Sequence, residues 1–259
     1  MSRDELRQAG ATMRATLGQP VGATGGLGGP TSAPGFAAMM SEVVYGGIWA
    51  RPGLAMDERL VCALAVVGLR APSDQLPPLV RAALDQGLAA RTVVEVFVHC
   101  GLYAGFLTTE AACAQARAVL AARGEVIPDD PPDDTSTAAL DAAGNAVMQA
   151  LHGARAGAGY AAPDDPVTSG LYALAIRYGY GALWSRPGLD HRQRLLCALA
   201  AFTALGLESQ LVKFALAALD NGFDREQVVE AVIQTAPYSG FPRALNALGA
   251  LSAAGIAAR

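Results

Sequence analysis

The side chains best suited to moving a proton lie in one stretch, EVFVHCGLYAGF from Glu95 to Phe106. A second copy of its frame, EAVIQTAPYSGF, runs from Glu230 to Phe241. In each copy a carboxylate, a polar side chain and a tyrosine recur at four-residue steps: Glu95, His99 and Tyr103, then Glu230, Gln234 and Tyr238. Residues four apart share a helix face, so each copy predicts a polar ladder on an otherwise apolar helix. Glu95 lies one turn before His99. A neighbouring carboxylate favours imidazolium and burial favours the neutral ring, so the pair is expected to titrate near neutrality, as general acid–base chemistry requires. Arg59, or its echo Arg194, is the natural partner for a ladder glutamate, because an unpaired buried guanidinium is costly. Equally, the glutamates can bridge helices to those arginines, with His99 a satisfied core residue.

The elements that position these ladders repeat as well. The offset between them, 230 − 95 = 135, aligns most of the chain without a gap, and from 49 to 106 roughly 24 of 58 positions match their partners. Tyr45, Trp49, Arg51, Pro52, Gly53 and Leu54 return as Tyr180, Trp184, Arg186, Pro187, Gly188 and Leu189. Trp49 and Trp184 fit either core packing or the lining of a pocket. Helical periodicity is expected over Asp4–Leu17 and Thr137–Leu151, with Met13 opposite Met148, and over Phe36–Trp49 and Leu171–Trp184. The near-continuous apolar runs that start at Asp57 and Arg192 read as central bundle helices. Gly87 and Gly222 are expected to cap the helices that follow, and Asp224 with Gln227 forms a capping-box signature. The glycine- and proline-rich stretch 18–34 reads as a loop; no Lys-Ser/Thr follows to make it a phosphate cradle. No segment alternates as a strand does. The expected architecture is all-α: one module over 1–123, an acidic, proline-rich linker over 124–136, and a second module over 137–259, packed as an intrachain pseudo-dimer.

Composition narrows the chemistry. The net charge is −4 and no Lys/Arg cluster stands out, which argues against a nucleic-acid partner. The N-terminus lacks a signal-peptide core and the apolar runs fall short of a membrane span, so a soluble cytoplasmic protein is expected. Cys62, Cys100, Cys113 and Cys197 include no C-x-x-C pair, and three scattered histidines, with His152 and His191 expected at surface or loop positions, have no ligand spacing for a metal.

The ordered set W-x-R-P-G-L, R-L-x-C-A-L-A, A-A-L-D-x-G, V-V-E and Y-x-G-F resembles the carboxymuconolactone decarboxylase family, within the wider AhpD-like group. The resemblance implies a helical module that pairs and assembles into rings, so a homo-oligomer is expected, a trimer of tandem chains first among them. Positions that carry a glutamate, two cysteines and a histidine in the peroxidase branch hold Leu60, Pro72, Gln75 and Leu79 here, and Leu195, Leu207, Gln210 and Phe214 in the second copy. Thiol peroxidase chemistry is therefore not expected. What remains points to a cofactor-independent lyase or isomerase acting on a carbonyl-containing, cyclic or polyketide-like small molecule. Glu95, His99 and Arg59 are its candidate catalytic residues, and Trp49, Tyr103, Trp184, Glu230, Gln234 and Tyr238 its candidate substrate contacts. The first module is the better candidate for acid–base work, since Gln234 cannot titrate; alternatively one pocket is built from both modules. The competing reading is a non-catalytic binding or assembly protein that retains the fold.

Overall fold

The computed structural model describes residues 1–19, 33–131, 133–157 and 162–256. Among them the chain is helices and turns with no strand, an all-α fold. Helix α1 (Arg3–Thr16) opens on a capping box in which the Glu5 amide donates to Ser2 and the Ser2 amide to Glu5. A short α2 (Phe36–Met39) runs into a π-helical segment, π1 (Met40–Trp49). Then come α3 (Met56–Gly68), α4 (Leu76–Asp85), α5 (Ala90–Ala104) and α6 (Phe106–Ala122). The second half repeats the order as α7 (Thr137–His152), α8 (Ser169–Leu174), π2 (Ala175–Ala182), α9 (His191–Leu205), α10 (Glu208–Asp220), α11 (Arg225–Ser239) and α12 (Phe241–Ala253). The glycine-rich stretch read as a loop lies, over 20–32, outside the described residues.

Helices α3 and α9 occupy the centre. Leu60 to Val66 and Leu195 to Ala201 are essentially without exposed surface, as their uninterrupted apolar runs require. The two ladder helices, α5 and α11, pack against them. Asp224 and Gln227 form the expected capping box on α11, whereas Ala89, at the equivalent place on α5, offers no side-chain cap. Gly105 and Gly240, with φ of 99° and 92°, end the ladder helices.

Sequence periodicity predicts ordinary helices where the structure has π1 and π2. Such segments widen the turn and re-aim side chains, and here each lies against the first helix of its own half. The contact is backbone to backbone: a Cβ on Gly46 would meet the Leu6 carbonyl oxygen at 2.1 Å, and one on Gly181 the Leu140 carbonyl oxygen at 2.2 Å. Gly10 and Gly144 answer from the facing helices, against Ser41 and Ile176. These contacts pair α1 with α7 at an offset of 134 rather than 135, so Met148 is level with Arg14 and not with Met13. The second copy has one residue more than the first in the stretch joining the first helix to the π-helix.

Candidate functional site

Each ladder faces the other half of the chain. On one side Glu230 receives the Arg51 guanidinium through Nε at 2.8 Å and Nη2 at 2.6 Å, and Arg59 Nη2 at 3.1 Å. Arg59 Nη1 donates to Gln234 Oε1 at 2.9 Å, and Trp49 Nε1 to the Tyr238 hydroxyl at 3.1 Å. On the other side Glu95 receives Arg186 through Nε at 3.0 Å and Nη2 at 2.7 Å, and Arg91 at 3.1 Å. Arg194 Nη1 approaches His99 Nδ1 at 3.2 Å, and His99 Nε2 lies 3.2 Å from the Tyr103 hydroxyl. The repeated Arg-Pro-Gly turns make this possible. Gly53 and Gly188 have φ of 94° and 100°, and a Cβ on either would come within 2.8 Å of the ladder glutamate opposite.

The two clusters differ where charge matters. Arg59 finds a carboxylate, as sequence reasoning requires of it, but the carboxylate is Glu230 of the other half. Arg194 finds none: among the described residues its partners are the carbonyls of Leu183, Arg186 and Leu189 and the His99 ring. It is nevertheless 1% exposed, and burial lowers its pKa. A guanidinium only donates, so His99 Nδ1 must accept, and Nε2 carries the hydrogen and donates it to Tyr103. The hydroxyl proton of Tyr103 is then free for another acceptor. Close by, Trp184 Nε1 is buried without a hydrogen-bond partner; the indole approaches the Tyr103 hydroxyl but does not reach hydrogen-bond geometry. His99 stands edge-on to both the Trp184 and the Tyr103 ring.

Three expectations require correction here. His99 does not titrate near neutrality: burial, reinforced by the Arg194 charge, holds its pKa well below the usual imidazole range, and Glu95 accepts hydrogen bonds from Arg186 and Arg91 instead. Arg59 does not join His99; its counterpart Arg194 does, so Glu95, His99 and Arg59 are not one constellation. His152 is not a surface residue. It has no exposed surface, packs edge-on against Phe214 and approaches the Tyr180 hydroxyl at 3.3 Å, and burial lowers its pKa to about 4. His191, by contrast, is exposed at the start of α9.

Arg186, Arg91 and the unpartnered Trp184 N–H are the parts that sequence reasoning did not assign. The Arg186 echo was visible, but only the interleaving of the halves reveals its partner. Burial raises the Tyr103 hydroxyl well above its usual range, so it is a donor at neutral pH. It likewise pushes up the thiols of Cys62 and Cys197, and that of Cys113 to about 11, which leaves them without thiolate character. Among the described residues there is no grouping of His, Cys, Asp and Glu that could hold a metal, and no helix long and apolar enough to cross a membrane.

The carboxymuconolactone decarboxylase family matches residues 170–253, from α8 to the end of α12, and so includes Trp184, Arg194, Glu230, Gln234 and Tyr238. Over that segment the chain is similar to the carboxymuconolactone decarboxylase family. Among its relatives, a 4-carboxymuconolactone decarboxylase of Acinetobacter baylyi is 35% identical over 66 residues, covering 26% of this chain and 49% of the relative. The nitrosuccinic acid decarboxylase npaB of Metarhizium robertsii is 33% identical over 89 residues, covering 32% and 58%. The chain thus spans about half the length of the curated relatives it matches. Both relatives are named as decarboxylases.

Proposed function

We propose that the protein is a decarboxylase-type lyase that uses its own side chains, without a metal or organic cofactor. Its substrate class is a small carboxylic acid with a carbonyl or comparable electron-withdrawing group beside the carbon that loses carbon dioxide; cyclic and polyketide-like acids fall within it. The observation that carries this reading is the buried guanidinium of Arg194, paired with no carboxylate, together with the unpartnered indole N–H of Trp184, whose ring packs against the same His99. Donors held dry and incompletely matched gain most when negative charge develops on a substrate oxygen. As the C–C bond breaks, its electron pair stays with the substrate and spreads onto the neighbouring oxygen. We assign the Trp184 N–H and the Tyr103 hydroxyl, itself held by His99, to that oxygen; Arg194 supplies positive charge from the other side of the His99 ring, and a proton from water completes the carbon. The relatives' named acids support the substrate class.

We read the chain further as two tandem modules, 1–123 and 137–259, forming a pseudo-dimer; the reciprocal Arg–Glu exchange between halves supports this. Phe36, Met39 and Val43 and their echoes Leu171, Leu174 and Tyr178 are exposed apolar side chains, which supports assembly into a trimer of tandem chains.

Carbon dioxide release from a panel that includes 4-carboxymuconolactone and nitrosuccinic acid tests the lyase reading. Trp184→Phe and Arg194→Met are expected to lower kcat by about 10²-fold or more, the usual cost of one oxyanion donor. Full turnover in Trp184→Phe would sink the assignment. A second reading has its own observation: Leu60, Leu79 and Leu195 are buried at the positions where the resemblance places polar groups, and His99 has no exposed surface. A folded, assembled protein that turns over none of these acids would favour a fold kept for binding or assembly.

A further inference from the structure

Outside the His99 cluster, the linker lies across a second concentration of charge. Its Ile127, Pro128, Asp129 and Asp130 line a cavity of about 130 Å³ whose opposite wall includes Arg91, Arg117 and Arg186. Asp130 is gripped from two sides. Arg91 reaches it through Nη1 at 2.7 Å and Nη2 at 2.8 Å, and Arg186 Nη2 at 3.0 Å. Arg91 belongs to α5 in the first half and Arg186 to the turn before α9 in the second, so the grip spans both. Glu95 is the only other carboxylate these two arginines meet among the described residues. Among the described residues Arg117 lines the cavity with no ion pair, and Arg91 Nε is buried without an acceptor. Without Asp130, three guanidinium groups would therefore face the one carboxylate of Glu95.

The site occurs once in the chain. At the positions equivalent to Arg91 and Arg117 the second copy has Glu226 and Ser252, and Glu226 carries the opposite charge. A salt bridge between the halves needs two arginines on one glutamate and no linker carboxylate, as Glu230 demonstrates with Arg51 and Arg59 on the other side. Arg117 and the linker carboxylate are an elaboration beyond that. Asp130 is more than a third exposed and belongs to a stretch without regular structure, so its carboxylate can leave without disturbing a helix.

We infer that the Arg91–Arg186 pair is a binding site for a small carboxylate anion, and that Asp130 occupies it in the free protein as a tethered competitor. The planar guanidinium fork suits a carboxylate, and two forks that converge on one group suit it better than a scattered surface charge does. A carboxylate on a short flexible tether acts at an effective concentration in the millimolar range, so a free acid displaces it only at comparable concentrations. The inference stands apart from the lyase reading, because its test reads anion binding and not turnover.

Calorimetric titration of succinate into the whole chain tests it. Asp130→Asn is expected to bind succinate about tenfold more tightly than the unaltered protein, as loss of an internal charge-assisted competitor predicts. The double variant Asp130→Asn/Arg91→Gln should lose that gain. Affinity unchanged in Asp130→Asn, or retained in the double variant, overturns the proposal. Sulfate run in parallel should bind more weakly than succinate, and equal binding would overturn the assignment to carboxylates. On the unaltered protein, cleavage at Asp129 and Asp130 by an aspartate-directed protease should accelerate saturably with succinate, while a rate independent of succinate would refute displacement of the strap.

Discussion

The two ladder glutamates are equivalent in sequence, yet their removal should cost very different amounts. Glu230→Gln leaves Arg59, buried at 1% exposure, without its only carboxylate among the described residues, and the glutamine that replaces Glu230 can accept a hydrogen bond but carries no charge. Breaking a buried pair by deleting one partner costs about 3–5 kcal/mol. Glu95→Gln removes the same group from Arg186 and Arg91, whose side chains are 35% and 26% exposed and which both keep Asp130. Water and the remaining carboxylate compensate there, and a loss of about 1 kcal/mol is expected. Arg194, the counterpart of Arg59, makes no ion pair with Glu95 that could be lost. Urea denaturation of both variants at neutral pH and moderate salt reads the difference, as a fall in midpoint at constant m-value. Losses that agree within about 0.5 kcal/mol, or a larger loss for Glu95→Gln, would refute the claim that the two sides of the pseudo-repeat bury their charge differently.

Acid should unfold the protein partly through His152. Its folded pKa, about 4 against 6.5 in the unfolded chain, means that the unfolded state binds the proton first. The stability this group contributes is complete above pH 6.5 and is lost as pH falls towards 4, by at most about 3 kcal/mol. His152→Leu should flatten denaturation midpoints across that window, and an unchanged slope would assign the acid sensitivity elsewhere. A charge-reversed pair offers another test: Glu42 of π1 holds Arg3 and Arg7 of α1, whereas Arg177 of π2 holds Asp141 of α7. Asp141→Arg and Arg177→Glu are each expected to destabilise, and their combination to recover, in a double-mutant cycle read by thermal denaturation; additive losses would rule out the coupling.

The helical fold was legible because its signals are local and repeated: the apolar runs of α3 and α9, the glycines that end α5 and α11, the capping box at Asp224. The partners of the ladders were not, because those contacts join residues about 90 to 190 positions apart and depend on which half each ladder faces. Sequence reasoning paired Glu95 with His99 because both occupy one face of one helix. In the fold that face meets Arg186 at one level and Arg194 at the next, and the two arginines separate the pair's roles. The charge of Arg194 also reverses the expected titration, since a neighbouring cation and burial both disfavour imidazolium. Nor could periodicity reveal the π-helical segments, whose apolar residues are spaced closely enough to pass for an ordinary helix.

In the sequence the difference between His99 and Gln234 points to acid–base chemistry in one half, and the geometry gives it another meaning. A neutral imidazole accepts from Arg194 through Nδ1 as the Gln234 amide oxygen accepts from Arg59. What histidine adds is the second nitrogen, which donates to Tyr103, whereas Gln234 Nε2 is buried without an acceptor. His99 is therefore a positioning residue for the tyrosine hydroxyl. His99→Gln should fold with a loss of about 1 kcal/mol or less, since the other half already accommodates glutamine opposite an arginine and a single neutral hydrogen bond is worth about that much. Turnover on an identified acid should fall about tenfold, the equivalent of one misplaced hydrogen bond, rather than by the factor of about 10²–10⁴ that removal of a general acid–base group costs. The pH profile of kcat should lack an inflection attributable to His99 between pH 5 and 8 in either protein. If the unaltered protein has such an inflection and His99→Gln abolishes it, His99 titrates during turnover and the positioning role is wrong.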